Sequence, residues 1–199
     1  MVGATSLQDP MTQLELILLG GFQARLEPGP PLPIAQRKVQ ALLAYLAVPT
    51  GQAHPRDKLA ALLWGDQTGE AARRNVRQTL FAVRKVLGVA SAHCLRLEGE
   101  TVALDSSSVA VDVAAFERRA AIGTPEALEQ ACALYRGDLL EGLALGNAPP
   151  FEEWLMAERE RLRERAVETL ARLLAHQRGG GATDAAVQSA LMPKKAMIL

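Results

Sequence analysis

Five basic side chains lie between residues 73 and 85, with no acidic residue among them. If this segment is helical, they share one face with an amide and an aromatic ring, over an arc of about 140°. Solvated helix faces usually mix both signs, because opposite charges four residues apart stabilise a helix. Basic groups neutralise phosphates, and arginine pairs with guanine through two hydrogen bonds. The predicted duplex contacts are Arg73, Arg74, Arg77, Gln78, Phe81, Arg84 and Lys85.

The opposite side of the same segment is apolar. Val76, Leu80, Val83 and Leu87 fall within about 60° of one another at helical spacing. We therefore expect these four side chains to pack inward. The spacing predicts a helix over residues 70–87 with one buried face and one basic face.

Three further basic residues are predicted contacts. Arg37 and Lys38 open an earlier predicted helix, and Arg96 lies on a predicted hairpin. Arg96 would touch a phosphate or the adjacent minor groove, or it would be solvated. Phe81 would contact a thymine methyl group or a sugar, or it would pack under the hairpin or against the preceding helix. The sequence does not separate these alternatives.

Charge is distributed unevenly, although 22 basic and 22 acidic residues cancel. Residues 37–91 carry nine basic and three acidic residues. Residues 98–199 carry 11 basic and 16 acidic residues. A basic segment followed by an acidic one indicates a polyanion-binding module joined to a second unit.

The helix that carries the basic face is one of a series of strands and helices, which the alternating and helical periodicities predict. Strands are predicted at residues 14–19, 22–26 and 32–34, helices at 37–48, 55–64 and 70–87, and hairpin arms at 95–97 and 102–104. This order is typical of a winged helix-turn-helix domain, in which the third helix faces the duplex.

A serine run at 106–108 marks the predicted boundary between two domains, at 12–105 and 109–199. Beyond the boundary only helices are predicted, at 112–121, 125–136 and 151–178, with Thr124 as an N-cap and Gly137 as a stop. A glycine run at 179–181 ends the last of these, and another helix starts near Thr183. Two antiparallel helices joined by a short break resemble one unit of a helical repeat. We therefore predict an α+β, mostly α, fold.

The composition excludes several classes of protein. With 199 residues, 49% of them hydrophobic and 4% aromatic, the chain suffices for one ordinary or two small domains with a core of Ala and Leu. No segment approaches 18 apolar residues in succession, and the N-terminus has no secretory pattern. A cytoplasmic protein without membrane contact is therefore expected. Cys94 and Cys132 are too few for a disulfide scaffold.

Motifs for catalysis, metals and cofactors are absent from the sequence. It has no zinc-protease, paired-cysteine, nucleophile-elbow, phosphate-loop or dinucleotide motif. His93 and Cys94 are adjacent, so on a strand they would point to opposite faces and would not share a metal ion. We expect no enzyme activity, no metal and no cofactor.

Short motifs over residues 14–190 occur in an order typical of one family. The first group resembles the DNA-binding domain of Streptomyces antibiotic regulatory proteins and consists of Arg37-Lys38, Leu62-Leu63-Trp64-Gly65-Asp66, Asn75-Val76-Arg77-Gln78 and Val102-Ala103-Leu104-Asp105. The second resembles the bacterial transcriptional activation domain of that family and consists of Val111-Asp112-Val113-Ala114-Ala115-Phe116, Leu134-Tyr135-Arg136-Gly137-Asp138-Leu139-Leu140 and Trp154-Leu155-Met156-Ala157-Glu158-Arg159-Glu160-Arg161-Leu162. Their order over this span is more specific than any single motif.

The resemblance implies an OmpR-like winged helix followed by a tetratricopeptide-like helical domain. It implies a regulator that activates transcription from direct repeats and recruits RNA polymerase, and a homodimer is a further expectation. The DNA-contacting residues implied by the family are Arg73, Arg74, Arg77 and Arg84.

This sequence departs from the family pattern at two places. Gly65 stands where the family usually has Pro, which would loosen the loop before the DNA-contacting helix. The tail at 191–199 does not continue the repeat pattern. We therefore expect the helical domain to be incomplete, as a truncated product or a short natural variant.

Two other functions are consistent with the sequence. In the first, the helical half binds a partner protein through Trp154, Leu155 and residues 158–168, and the winged helix is a docking surface that binds no DNA. In the second, the chain is a sensory module of a larger signalling ATPase or cyclase. Duplex binding at low salt distinguishes the first alternative from a DNA-binding regulator, and the downstream genomic sequence tests the second.

Overall fold

The computed structural model describes residues 13–179, with side chains described as far as Arg178. The fold is α+β and mostly helical, as predicted, with a winged helix followed by a helical part. The helix predicted from Thr183 and the tail at 191–199 lie outside the described residues.

The first sheet has three strands in the order β2-β1-β6. β1 (Gln13–Ile17) pairs antiparallel with β2 (Gln23–Glu27), and β6 (Val109–Val111) pairs parallel with β1. Leu14 and Leu16 are fully buried on one side of β1, as the alternation of apolar residues predicts.

The structure differs from the predicted strands of this region in two ways, and both are errors of the prediction. Residues 32–34 form no strand, and Pro31 makes only an isolated bridge to Arg25. Pro31 and Pro33 lack the amide hydrogens that a strand ladder requires. The second error is β6, which lies in the segment where only helices were predicted. Its three residues are too short for a period to show in the sequence.

Three helices follow the first hairpin, as predicted. They are α1 (Arg37–Ala47), α2 (Arg56–Trp64) and α3 (Gly69–Leu87). Gly88 ends α3 with a φ of 56°, and its amide donates to the carbonyl of Arg84. Pro55 was predicted as the first residue of α2 but precedes it, in the two-residue strand β3 (His54–Pro55).

The wing is the predicted hairpin. β4 (Leu95–Glu98) and β5 (Thr101–Leu104) pair antiparallel, and β3 adds to the other edge of β5. A 3₁₀ turn at Gly88–Ala90 and the short helix α4 (Ser91–Cys94) connect α3 to the wing. His93 and Cys94 lie in α4, so the argument from strand geometry does not apply to them.

The helical part contains α5 (Asp112–Ile122), α6 (Pro125–Leu134) and α7 (Pro149–Gly179). Thr124 caps α6 as predicted, because its hydroxyl accepts from the Ala127 amide at 3.3 Å. α6 ends at Leu134, so Gly137 is not its stop signal.

One hydrophobic core runs through both parts of the chain. Tyr45 on α1 lies edge-on to Trp154 on α7, with ring centroids 5.0 Å apart, and Phe151 is fully buried nearby. The backbone amides of Leu18 and Leu19 each donate to the Asp112 carboxylate at 2.9 Å. The helical part therefore packs directly against the winged helix.

Candidate nucleic-acid interface

Helix α3 is amphipathic and buries one side against α1 and α2. The predicted inward stripe of Val76, Leu80, Val83 and Leu87 is buried. Thr79 is buried beside it, although its type did not indicate this. Because this side is committed to the core, the opposite side is turned to solvent.

All seven predicted contact residues of α3 are exposed. Four of the five cations on this face of α3 make no ion pair within residues 13–179. We call these four residues the unpaired cations: Arg74, Arg77, Arg84 and Lys85. Arg84 and Lys85 also lie in the last turn of α3, where their charge interacts favourably with the helix dipole. Phosphate binding requires exposed cations of this kind.

Arg73 differs from its neighbours because Asp57 on α2 binds it. The Arg73 Nε and Nη2 atoms donate to the two carboxylate oxygens of Asp57 at 2.7 and 3.1 Å. The hydrogen bond from Arg73 lowers the pKa of Asp57, and the same bond raises the pKa of Arg73. Both side chains are exposed, with 59% and 67% of their surface accessible. Asp57 thus places one negative charge next to the basic face.

Phe81 is 70% exposed in the middle of the basic face. The structure therefore overturns the interpretation in which it packs under the wing or against α2. Among residues 13–179 the ring takes part in no aromatic pair and no cation–π contact. It is the aromatic member of an otherwise polar, positively charged surface.

The wing has less positive charge than Arg96 alone suggests. Arg96 donates to Glu98 through Nε at 3.2 Å and Nη2 at 3.1 Å. The turn that follows carries a second acid, Glu100. Arg96 is therefore balanced by carboxylates of its own hairpin.

Arg37 and Lys38 are engaged by backbone carbonyls. The Arg37 guanidinium donates to the Ala144 carbonyl at 3.0 Å. The Lys38 ammonium donates to the Leu63 carbonyl and lies 5.4 Å from the centroid of the Trp64 ring. Burial lowers the pKa of Lys38. These contacts connect α1 to the loop before α7 and to the end of α2.

Sequence reasoning missed Asp57 as a member of this surface. Within its own helix, Asp57 is an acid in the first turn, where its charge suits the dipole of α2. Asp57 and Arg73 are 16 residues apart on different helices, so no helical period relates them. The sequence signal that could have indicated this contact is an acidic residue in the first turn of α2, the helix that precedes the basic helix α3.

His54 is the buried histidine of this region, with 3% of its surface exposed. Neither ring nitrogen has a hydrogen-bond partner within the described residues. Burial and the Lys58 charge lower its pKa, so the neutral ring is favoured. The ring lies 4.8 Å from that of Tyr45, which makes its role one of packing.

Within residues 13–179, no group of three or more His, Cys, Asp or Glu side chains could hold a metal ion. No helix in this part of the chain combines the length and apolar character needed to cross a bilayer.

Comparisons with known proteins agree with the architecture. Residues 103–192 match the model of the bacterial transcriptional activator domain family. No curated protein matches the chain. Among solved structures, the fold is similar to that of Mycobacterium tuberculosis EmbR, determined in complex with a low-affinity phosphopeptide, with a TM-score of 0.71 and 23% identity. The match covers 89% of this chain and 49% of that one, so this chain spans about half the length of EmbR.

EmbR also has a winged-helix domain followed by a helical domain. The activator-domain match begins at residue 103, within β5 of the wing, so the rest of the winged helix is covered by the fold comparison alone. The family match covers less than half of the chain, and the comparison with EmbR shows the fold alone. Both agree with the resemblance to the Streptomyces antibiotic regulatory protein family.

Proposed function

We propose that the chain is a double-stranded DNA-binding transcriptional activator that places α3 in a major groove. The observation that carries this proposal is the exposed face of α3, where the four unpaired cations lie opposite a buried apolar stripe. Arginine and lysine at these positions can bind phosphates, and arginine can also pair with guanine. Gln78 on the same face has the amide that pairs with adenine.

The proposed interface is smaller than the sequence indicated. Arg37 and Lys38 are left out because backbone carbonyls already hold their charged groups. Arg96 is left out because Glu98 neutralises it. Arg73 contributes less than the unpaired cations, since a phosphate must compete with Asp57 for it.

The helical part is proposed to contact RNA polymerase or a second copy of the chain. Its helix α7 exposes the apolar side chains of Met156 and Val167, which are 64% and 65% accessible. The family resemblance supports polymerase recruitment.

Duplex selection from a random pool, followed by fluorescence anisotropy over a salt series, tests DNA binding. Each phosphate neutralised on B-DNA contributes about −0.9 to the slope of log K against log salt. Four unpaired cations therefore predict a slope of about −3 to −4. In the double variant Arg74→Ala/Arg77→Ala we expect the slope to be shallower by about 2.

The control is Arg118→Ala, which removes an exposed arginine from α5 and should leave the slope unchanged. A flat salt response, or equal affinity of the double variant and the parent protein, contradicts the proposal. Capture of a partner protein with no duplex binding at low salt would instead favour an interaction module.

A further inference from the structure

We infer that Phe81 contacts the 5-methyl group of a pyrimidine in the major groove, so that the site bound by α3 favours thymine at one position. This inference rests on the proposed DNA binding and names part of the sequence that the surface selects. It follows from the placement of one apolar ring within a surface of cations.

Exposure alone would not support the inference, because single apolar residues on protein surfaces are common. The position of Phe81 is the distinguishing feature. It lies four residues after Arg77 and three before Arg84, so all three side chains project from the same side of α3. None of the three is covered by another element of the described chain.

Phe81 lies between two unpaired cations along α3. Arg77 and Arg84 are seven residues apart, which is about 10 Å along a helix axis. If both guanidinium groups reach the phosphates that border the groove, the Phe81 ring between them lies over the base edges. A phenyl ring cannot donate or accept the hydrogen bonds that polar base edges offer.

Thymine is the standard base that presents a methyl group in the major groove. Placing that methyl group against Phe81 removes apolar surface of both partners from water. The burial of one methyl group corresponds to about a fourfold change in affinity. A base edge with only polar groups would lose its water without gaining a partner. Phe81 therefore favours a methylated pyrimidine over the other bases.

The experiment uses the whole chain and a duplex chosen by selection, in which each thymine is replaced in turn by deoxyuridine. This replacement removes only the 5-methyl group. The protein variants are Phe81→Ala, Phe81→Leu and, as the matched control, Ile122→Ala. Ile122 is an exposed apolar residue at the end of α5, outside every surface proposed above. Circular dichroism confirms that the variants fold, which is expected because Phe81 is exposed.

At one position we expect the parent protein and Ile122→Ala to bind the deoxyuridine duplex about fourfold more weakly. Phe81→Ala should bind both duplexes equally, and Phe81→Leu should retain part of the discrimination. A further duplex has 5-methylcytosine paired to guanine at that position. If the affinity is retained, the protein recognises the methyl group alone. If the affinity is lost, it recognises thymine as a whole base. Either result requires the Phe81 ring.

Equal binding of both duplexes by the parent protein, or full discrimination by Phe81→Ala, overturns the inference. In both cases a salt-dependent affinity that needs Arg77 would leave the proposed DNA binding intact. Absence of salt-dependent binding to any duplex would refute the proposed function, and the inference with it.

Discussion

Asp57 and Arg73 form a two-point ion pair between α2 and α3, with hydrogen bonds of 2.7 and 3.1 Å. Exposed pairs of this kind add little to stability, because water screens both charges. Their effect on the surface is larger, since the pair cancels one cation of the basic face. The carboxylate also lies where an approaching phosphate would be repelled.

Asp57→Asn should therefore bind duplex DNA more tightly at low salt. The substitution releases the Arg73 guanidinium, so the slope of log K against log salt is expected to be steeper by about 1. Glu126→Gln removes an exposed acid from α6 and serves as the control for net charge. A slope that stays the same in Asp57→Asn would show that Arg73 does not reach a phosphate.

The shared core predicts that both parts of the chain unfold together. The two tryptophans report on each part separately, because Trp64 ends α2 and Trp154 lies on α7. In Trp154→Phe and Trp64→Phe, the urea transitions followed by fluorescence should coincide with those followed by circular dichroism. Two separated midpoints within one variant would contradict a single cooperative unit.

Asp112 is expected to be a strong determinant of stability. Its buried carboxylate accepts from the amides of Leu18, Leu19 and Val113, each at 2.9 Å. Asp112→Ala leaves these amides without their acceptor, which should lower the free energy of unfolding by about 3 kcal/mol. Asp66→Ala, at an exposed loop position, should change it little. Similar urea midpoints for the two variants would refute this role.

His54 should make the fold less stable below neutral pH. Burial keeps the pKa of His54 in the folded chain below the ordinary value, whereas in the unfolded chain the ring has the ordinary pKa of about 6.5. The stability contribution is therefore complete above about pH 6.5 and is lost as the pH falls below it, by up to about 1.4 kcal/mol per pH unit.

The measurement is the free energy of unfolding in urea at pH 7.5 and pH 5.5. His54→Phe should show a smaller decrease between these values than the parent protein. His93→Gln is the control, because His93 is exposed in α4. Equal decreases in His54→Phe and the parent protein would show that another group causes the pH dependence.

The predicted first hairpin, the three helices and the wing were confirmed in their order, and the helices were placed to within one or two residues. The strand predicted at 32–34 was wrong, and β3 and α4 were not predicted. The helix predicted at 70–87 is α3 at Gly69–Leu87, because a long apolar period and a terminal glycine are local signals. Strand β6 was missed because it depends on pairing Leu14 with Val109, which are distant in the chain. No local pattern indicates such a pairing.

For the candidate site, too, local sequence patterns predicted some features, and others depend on contacts between distant segments. The helical period placed Arg77, Phe81 and Arg84 on one face, since the face of a helix depends only on the spacing of its residues. Whether Phe81 is covered depends on where the wing packs. Whether Arg73 is available depends on how α2 crosses α3.

The chemistry of the α3 surface was thus determined by the order of residues along one helix. The tertiary structure decided which of the predicted cations are available. Asp57 binds Arg73 of α3, and the carbonyls of Ala144 and Leu63 bind Arg37 and Lys38 of α1. Contacts of this kind require the packing of whole helices, and packing is set by the complete core and not by any one segment.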